Sequence, residues 1–102
     1  MAEEFEVESP EEFEDMVKNG DLRIRKALVK TVLKNLKSKK RHHHALSVIC
    51  ISEGEIYDVT IDKNDFQHTL ESTLPKFEKE EMYEDCSKIV GALKYLKKVK
   101  KI

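Results

Sequence analysis

The sequence has little of several residue types that mark large functional classes. Tryptophan is absent, and the 102 residues include three glycines, two prolines and two cysteines. No glycine-rich loop of the kind that cradles phosphate occurs, so no nucleotide cofactor is expected. Two cysteines outside any CxxC pair do not form a disulfide framework. No apolar run approaches the roughly 20 residues that span a bilayer, so we expect no membrane association.

The length and the charge content describe one strongly ionic domain. A chain of 11.9 kDa has room for one core, since domains cluster around roughly 100–150 residues. Charged residues make up 38% of the chain, against about 25% in ordinary domains. The acidic start does not resemble a signal peptide, which predicts a cytoplasmic protein. We expect an acidic tail or edge strand over residues 1–8 and a single domain over 9–102.

The near-neutral net charge of −1 hides alternating blocks of charge. Residues 1–21 hold nine acids and one base, and residues 22–44 hold nine bases and no acid. Residues 45–87 hold eleven acids and three bases, and residues 88–102 hold six lysines and no acid. Opposite blocks can fold onto each other. Alternatively, the basic blocks present a surface to nucleic acid or to an acidic protein.

Two helices are predicted in the first half of the chain. Ser9 followed by Pro10 and Glu12 is a capping box, and Gly20 can end this first helix in a left-handed conformation. Asp21 then caps a second helix that should run from Leu22 to about Lys39. Its apolar stripe has helical spacing and comprises Ile24, Leu28, Val29, Val32, Leu33 and Leu36. The flanking basic face offers either a solvated surface or a docking surface.

Residues 45–52 and 56–61 predict a β-hairpin. Both segments are rich in β-branched residues, and Glu53-Gly54-Glu55 separates them. In the second strand, one face should be buried and comprises Tyr57, Val59 and Ile61. The first strand is apolar on both faces, with Leu46, Val48 and Cys50 on one face and Ile49 and Ile51 on the other.

The two apolar faces of the first strand predict self-association. Helices of one chain can cover only one face, and a two-stranded sheet leaves both edges unpaired. A homodimer joined through Ile49 and Ile51 would solve both problems. The competing arrangement is a monomer in which Phe5 and Val7 belong to a third strand at the sheet edge.

Two further helices complete an α+β fold. The third begins near Asp65 with apolar residues at Phe66, Leu70, Leu74 and Phe77, and Pro75 should kink or break it. The fourth runs from about Glu80 to Lys98 with an apolar seam at Met82, Cys86, Ile89, Leu93 and Leu96. The predicted architecture is thus a hairpin over about residues 45–61 packed against about four helices, the last two forming an antiparallel helical hairpin.

Basic residues supply the candidate binding surface. They run along the second helix and into a turn that carries three consecutive histidines. The candidate residues for a protein partner or nucleic acid are Arg23, Lys26, Lys30, Lys34, Lys37, Lys39, Lys40, Arg41, His42, His43 and His44. His42 and His44 could share one face, but no nearby cysteine or carboxylate completes a zinc site, so no metal is predicted.

No combination of residues predicts catalysis. Cys50 lies in the most apolar strand, where burial makes a thiol inert. Carboxylates are abundant but fall on predicted helix surfaces, and Glu53 and Glu55 flank a turn. We therefore expect no enzymatic activity and no cofactor.

Residues 70–96 carry a local resemblance to a known motif. Tyr83-Glu84 gives an aromatic residue followed by an acid, and Cys86-Ser87 gives two small residues before the apolar Ile89 and Leu93. This pattern resembles the UVR-type helical hairpin of excision-repair subunits and Clp protease adaptors, although its usual arginine–aspartate pair is missing. The resemblance implies a helical hairpin used for protein contact. The whole layout also resembles small accessory proteins of tailed phages.

The sequence thus favours a non-catalytic protein-interaction or regulatory module. The two-faced apolar hairpin and the blocks of charge both predict partners. The alternative is a nucleic-acid-binding protein that uses the basic segment 22–44, although near-neutral charge and the lack of a known nucleic-acid motif speak against it.

Overall fold

Seven helices and strands follow one another in the described part of the chain. The computed structural model describes residues 3–100. In chain order the elements are β1 (Glu3–Val7), α1 (Pro10–Lys18), α2 (Leu22–Lys34), β2 (His42–Cys50), β3 (Glu55–Asp62), α3 (Phe66–Lys79) and α4 (Tyr83–Lys100), with a short 3-10 turn at Lys63–Asp65 before α3. The α+β class and the helical hairpin near the C-terminal end are therefore confirmed.

The sheet has three strands in the order β1-β2-β3. β1 runs parallel to β2 and places Phe5 beside Val48, while β3 runs antiparallel to β2 as the hairpin predicts. A parallel neighbour requires a crossover connection, and α1 and α2 supply it. Of the alternatives left open for the first residues, the structure shows the edge strand: the segment that carries Phe5 and Val7 adds a third strand beside β2, as in the arrangement that competes with the dimer.

A bulge in β2 brings additional residues to the face of the sheet that the helices cover. The register shifts between His44 and Leu46, so that His44 lies opposite Thr60 and Leu46 opposite Val59. Ala45 is the extra residue, and both Ala45 and Leu46 are buried. Because a bulge reverses the alternation of side chains, His43 faces the helices together with the predicted apolar residues. We call this side the inner face.

Burial of the inner face decreases along β3 toward the hairpin turn. Ile61 is 6% exposed, Val59 is half-buried, and Tyr57 is 41% exposed. The three side chains share one face as predicted, but the expectation that all are buried is wrong for Tyr57. α1 contacts β1 and α2 contacts β2, so the start of β3 extends beyond the helices that cover the sheet.

The caps of α1 follow the predicted chemistry. Ser9 Oγ accepts a hydrogen bond from the backbone N–H of Glu12 at 3.3 Å. The Glu12 carboxylate accepts one from the backbone N–H of Glu8 at 2.8 Å, one residue earlier than in a standard capping box. Gly20 adopts φ 65° beyond the end of the helix, as expected.

α2 ends at Lys34, five residues before the predicted end at Lys39. Asn35 caps it, because its backbone N–H and its side-chain amide both donate to the carbonyl of Thr31. The side-chain bond offers the chain a local alternative to another helical turn. Residues beyond Asn35 therefore form the connection to β2.

Two apolar clusters make the core, and α2 contributes to both. Ile24 and Ala27 pack with Val7 and the inner-face residues of β2. Val29 and Val32 pack on the helical hairpin with residues such as Phe66. The predicted seam of α4 is confirmed: Cys86, Ile89 and Leu93 are buried in this second cluster, and Met82 and Leu96 pack against it.

α3 continues through Pro75 as one helix, so the predicted break does not occur there. Pro75 and Glu71, whose carbonyl loses its partner, both lie on the exposed side, where water can replace the bond. In the turn between α3 and α4, Glu81 adopts φ 58°, and the backbone N–H of Met82 donates to the carbonyl oxygen of Phe77 at 2.9 Å. This hydrogen bond closes the turn that ends α3. α4 therefore begins at Tyr83 and not at the predicted Glu80.

Candidate docking groove

A groove of about 670 Å³ lies between α2 and α4, with one side chain of α3 in its lining. Its apolar part comes from Val29 and Phe77, which are buried, and from half-buried Leu33. We call it the lysine groove. Its lining residues are Lys26, Val29, Lys30, Leu33, Lys34, Phe77, Asp85 and Lys88.

Four lysines surround the apolar floor of the lysine groove. Lys26, Lys30 and Lys34 recur every four residues, which aligns them along one side of α2. Lys88 stands on α4 across the groove, and all four lysines are exposed. Within residues 3–100 none of them has an ion-pair partner within 4.0 Å. Asp85 also lines the groove, so four positive charges and one negative charge leave a net positive potential over an apolar surface.

The thiol beside the lysine groove has no nucleophilic character. Cys86 follows Asp85 on α4 and is buried in the core. Burial raises the pKa of the Cys86 thiol, and the negative charges of Glu78 and Asp85 raise it further. A thiol that stays protonated at neutral pH packs as a small apolar group.

Two of the predicted basic residues belong to local ion pairs. Arg23 Nε lies 3.2 Å from the carboxylate of Asp21, the cap of α2, and this bond lowers the pKa of Asp21. Arg41 Nε lies 2.9 Å from Asp62 on β3. The pKa of Asp62 is lowered, first by a hydrogen bond from the backbone of Asn64 and then by Arg41. These arginines hold local structure and lie outside the lysine groove.

The connection between α2 and β2 carries the next group of predicted basic residues. Lys37 places its ammonium group 5.9 Å from the centre of the Tyr95 ring, within the range of a cation–π contact. Lys39 and Lys40 are exposed in this connection. The structure therefore separates these three residues from the lysine row of α2.

The three histidines fall on two faces of the sheet. His42 and His44 are exposed on the outer face, as the alternation argument predicts, and His42 Nε2 lies 3.5 Å from Asp62. His43 is buried on the inner face, where its ring centre lies 5.6 Å from that of Phe66. His43 Nε2 lies 3.0 Å from the carbonyl of Lys40. His43 is thus a core residue and does not belong to the candidate binding surface.

A serine, a histidine and an aspartate meet on the outer face, but their geometry is not that of a nucleophilic triad. Ser47 Oγ donates to Asp58 at 2.7 Å, and His44 Nε2 lies 3.0 Å from Ser47 Oγ and 3.3 Å from Asp58. In a triad the serine donates to the histidine, and the aspartate holds the other ring nitrogen. Within residues 3–100, no group of three His, Cys, Asp or Glu side chains could hold a metal ion.

The residues predicted for self-association lie near the hairpin turn. Ile49 is half-buried on the outer face and pairs with Ile56 on β3. Ile51 follows the end of β2 and is 53% exposed, while Ile56 is also exposed. Ile49 and Ile56 are thus neighbours on the outer face, Ile51 lies in the adjacent turn, and none of the three lines the lysine groove.

Five of the eight residues that line the lysine groove are not among the predicted binding residues. Val29, Leu33 and Phe77 are predicted only as apolar core residues, and Asp85 and Lys88 carry no predicted role. The spacing of Asp85 and Lys88 places them on one side of a helix. The sequence holds no local signal that this side faces the lysine row of α2, because that contact is tertiary.

Comparison with known protein families, with curated proteins and with solved structures gave no match to this chain. In the described part of the chain, no helix combines the length and the apolar character that crossing a bilayer requires.

Proposed function

We propose that this protein is a non-catalytic interaction module whose lysine groove docks an amphipathic helix of a partner protein. One observation carries the proposal: exposed lysines surround an apolar floor. A helix with an apolar stripe and acidic flanks complements both parts of this surface. Helix-in-groove recognition of this kind uses apolar anchors at spacings of three and four residues.

The dimensions of the groove suit a short helix. Lys26 and Lys34 are eight residues apart on α2, which corresponds to about 12 Å along the helix axis. A partner helix of two to three turns can therefore place its apolar anchors over half-buried Leu33, between the two sides of the groove. Its acidic residues would then approach the lysines on α2 and Lys88 on the other side, and this electrostatic fit would set orientation and association rate.

The lysine row also supports the alternative of nucleic-acid binding, but less well. A phosphate backbone would use exposed lysines such as Lys30, yet it gains nothing from an apolar floor. Single strands bind by stacking bases on aromatic side chains, and the one aromatic residue that lines the groove, Phe77, is buried. The apolar floor therefore favours a protein partner.

A designed peptide tests the proposal. The probe is a labelled 14-residue peptide with leucines at helical spacing and glutamates on both flanks, measured by fluorescence anisotropy. We expect Lys30→Glu/Lys34→Glu to weaken binding at least about tenfold, because attraction becomes repulsion across the groove. Lys94→Glu/Lys97→Glu is the matched control, since it changes the net charge equally at exposed positions outside the groove.

The outcomes separate the two candidate functions. Leu33→Gln should also weaken peptide binding, because it removes apolar floor without changing charge. A 12-base-pair duplex serves as the competing ligand, with a salt titration whose slope is about −0.9 per phosphate contact. Binding of the duplex that is tighter than binding of the peptide, and unaffected by Leu33→Gln, would favour the nucleic-acid function instead.

The predicted homodimer is a further part of this proposal. Its support is the exposure of Ile51 and Ile56 beside half-buried Ile49 near the hairpin turn. We expect light scattering to give twice 11.9 kDa for the wild type, and Ile51→Lys to halve the mass while the fold survives. A wild-type mass of 11.9 kDa at high concentration would exclude the dimer.

A further inference from the structure

Within residues 3–100, β3 forms an edge of the sheet, with β2 on one side and no strand on the other. Residues 55–58 and Thr60 are exposed along this edge. Unpaired strand edges are templates for pairing with another chain, and proteins usually block them with lysine, proline or a bulge. β3 has neither lysine nor proline, and the bulge of the sheet lies in β2. The charged residues of β3 are the acids Glu55, Asp58 and Asp62, which oppose an acidic strand but not a basic one. The edge is therefore long enough and open enough to accept another strand.

An apolar groove of about 450 Å³ adjoins this edge on the inner face. It lies at the border of the part of the sheet that α1 covers. Tyr57 and Val59 form one wall, and Phe13 of α1 forms the other. Its buried floor includes Val48 and Cys50. We call it the hairpin groove. Its lining residues are Val7, Pro10, Phe13, Glu14, Val48, Cys50, Tyr57, Asp58 and Val59.

The charge around the hairpin groove is negative. Among the described residues Glu14 and Asp58 line it, the side chain of Asp58 lying on the outer face, and no lysine, arginine or histidine does. The carboxylates of Glu53 and Glu55 each lie 2.9 Å from the hydroxyl of Tyr57. Hydrogen bonds to these carboxylates raise the pKa of Tyr57, so the hydroxyl stays neutral. Its single proton can serve only one of the two carboxylates, so the hairpin turn keeps its negative charge beside the edge of β3.

We infer that an extended segment of another protein, with apolar and basic residues in alternation, adds to β3 as a fourth strand. Successive side chains of a strand point to opposite faces. Apolar residues of the added strand would lie beside Tyr57 and Val59 and enter the hairpin groove. Its basic residues would lie on the outer face beside Asp58, whose side chain is 65% exposed. This site is distinct from the lysine groove and goes beyond the function proposed above.

Charge selects a basic partner strand over a second copy of this chain. β3 carries Glu55, Asp58 and Asp62 and has no lysine or arginine, so pairing two copies along this edge brings acids together. β1 has the sequence EEFEV and would repel β3 in the same way. Like charges directly opposite each other on paired strands are destabilising. A strand rich in lysine or arginine meets no such opposition.

An alternating peptide tests the inference. The probe is an eight-residue peptide in which valine and a central phenylalanine alternate with lysine, added to ¹⁵N-labelled protein. We expect amide shifts over residues 55–62 and around Phe13, and a Kd that increases at least about fivefold in Tyr57→Ala, because truncating an aromatic anchor is costly. Tyr83→Ala is the matched control, since Tyr83 is exposed on α4 and outside both grooves.

Backbone methylation distinguishes strand addition from simple charge attraction. Two peptides are compared, one methylated at the odd backbone nitrogens and one at the even, and these are the two phases. An added strand directs alternate N–H groups toward β3, so methylation should abolish binding in one phase and spare it in the other. Equal effects of the two phases, or equal binding of a peptide with all lysines in one block, would overturn the inference. So would β3 amide shifts that depend on protein concentration alone, since a second copy would then occupy the edge. Lys30→Glu/Lys34→Glu should leave this peptide's binding intact, which keeps the outcome independent of the lysine groove.

Discussion

The lysine groove and the hairpin groove have the same kind of floor and opposite charge. Both are apolar depressions at places where neighbouring elements stop covering the core. Helices α2 and α4 form the walls of the lysine groove, so side chains of two helices face each other across it. The open edge of β3 adjoins the second and offers backbone groups as well. The comparison shows how one small core can present two surfaces that select different partners.

The two grooves keep opposite charge in the folded protein because few acidic and basic side chains form close pairs. The close pairs within residues 3–100 join Asp21 to Arg23, Asp62 to Arg41 and His42, and Asp58 to His44. Exposed pairs stabilise a protein by only about 0–1 kcal/mol, so little free energy favours folding one block onto another. The lysines of α2 and the acids of the hairpin therefore remain on separate surfaces.

The substitution with the largest expected effect should destroy both grooves by unfolding the domain. Leu93 is buried in the cluster that holds α4 against α2 and α3. Leu93→Asp places an unpaired charge there, which should cost more than about 3 kcal/mol and unfold the domain. Circular dichroism and the binding of both peptides should be lost together. Val90→Asp on an exposed position of α4 should keep both, and an unchanged melting temperature in Leu93→Asp would contradict the core assignment.

The next effect separates the two grooves. Lys30→Glu/Lys34→Glu should lose about tenfold or more in affinity for the acidic helical peptide, or about 1.4 kcal/mol, and keep the basic extended peptide. Tyr57→Ala should show the reverse preference. Anisotropy titrations of both variants with both peptides measure this. Loss of both peptides in either variant, with the fold intact, would mean that the surfaces are not independent.

The helices and the hairpin could be predicted because their signals are local. The capping residues before α1, the apolar spacing of α2 and α4 and the turn at Gly54 each determine structure within a few residues. The errors arise where tertiary contacts decide. Pro75 remains inside α3 because packing holds the turns on either side of it, and Tyr57 is exposed because no helix reaches it.

The candidate site could be predicted only in part, for the same reason. The row of Lys26, Lys30 and Lys34 is visible from its spacing, but Phe77 and Lys88 enter the lysine groove from other helices. The sequence equally suggested one continuous basic surface through residue 44. The bulge in β2 breaks it by turning His43 into the core, and bulges have no simple signal in a single sequence.

A smaller effect concerns the cap that orients the lysine row. Asp21 accepts a hydrogen bond from the backbone of Arg23, and its replacement by alanine should cost about 1 kcal/mol at pH 7. Because its pKa is lowered in the folded state, this stabilisation is present above about pH 4 and is lost as pH falls through the folded pKa. Urea denaturation should thus show the difference from wild type shrinking in acid. A difference that grew toward pH 3 would contradict the sign, and Asp15→Ala, at an exposed position of α1, should show no comparable loss.

The smallest effect is a gain, at the turn that joins α3 to α4. Gly20 and Glu81 hold the same left-handed position after α1 and α3, but only glycine does so without steric cost. Glu81→Gly should therefore raise the free energy of unfolding by about 0.5–1 kcal/mol, the net of relieved strain and a more flexible unfolded chain. Glu80→Gly, at φ −88°, has no strain to relieve and should be destabilising. Urea midpoints measure both variants. Because the turn lies outside the lining of both grooves, we expect both peptides to bind Glu81→Gly as they bind the wild type, and a urea midpoint below that of the wild type would contradict the strain assigned to Glu81.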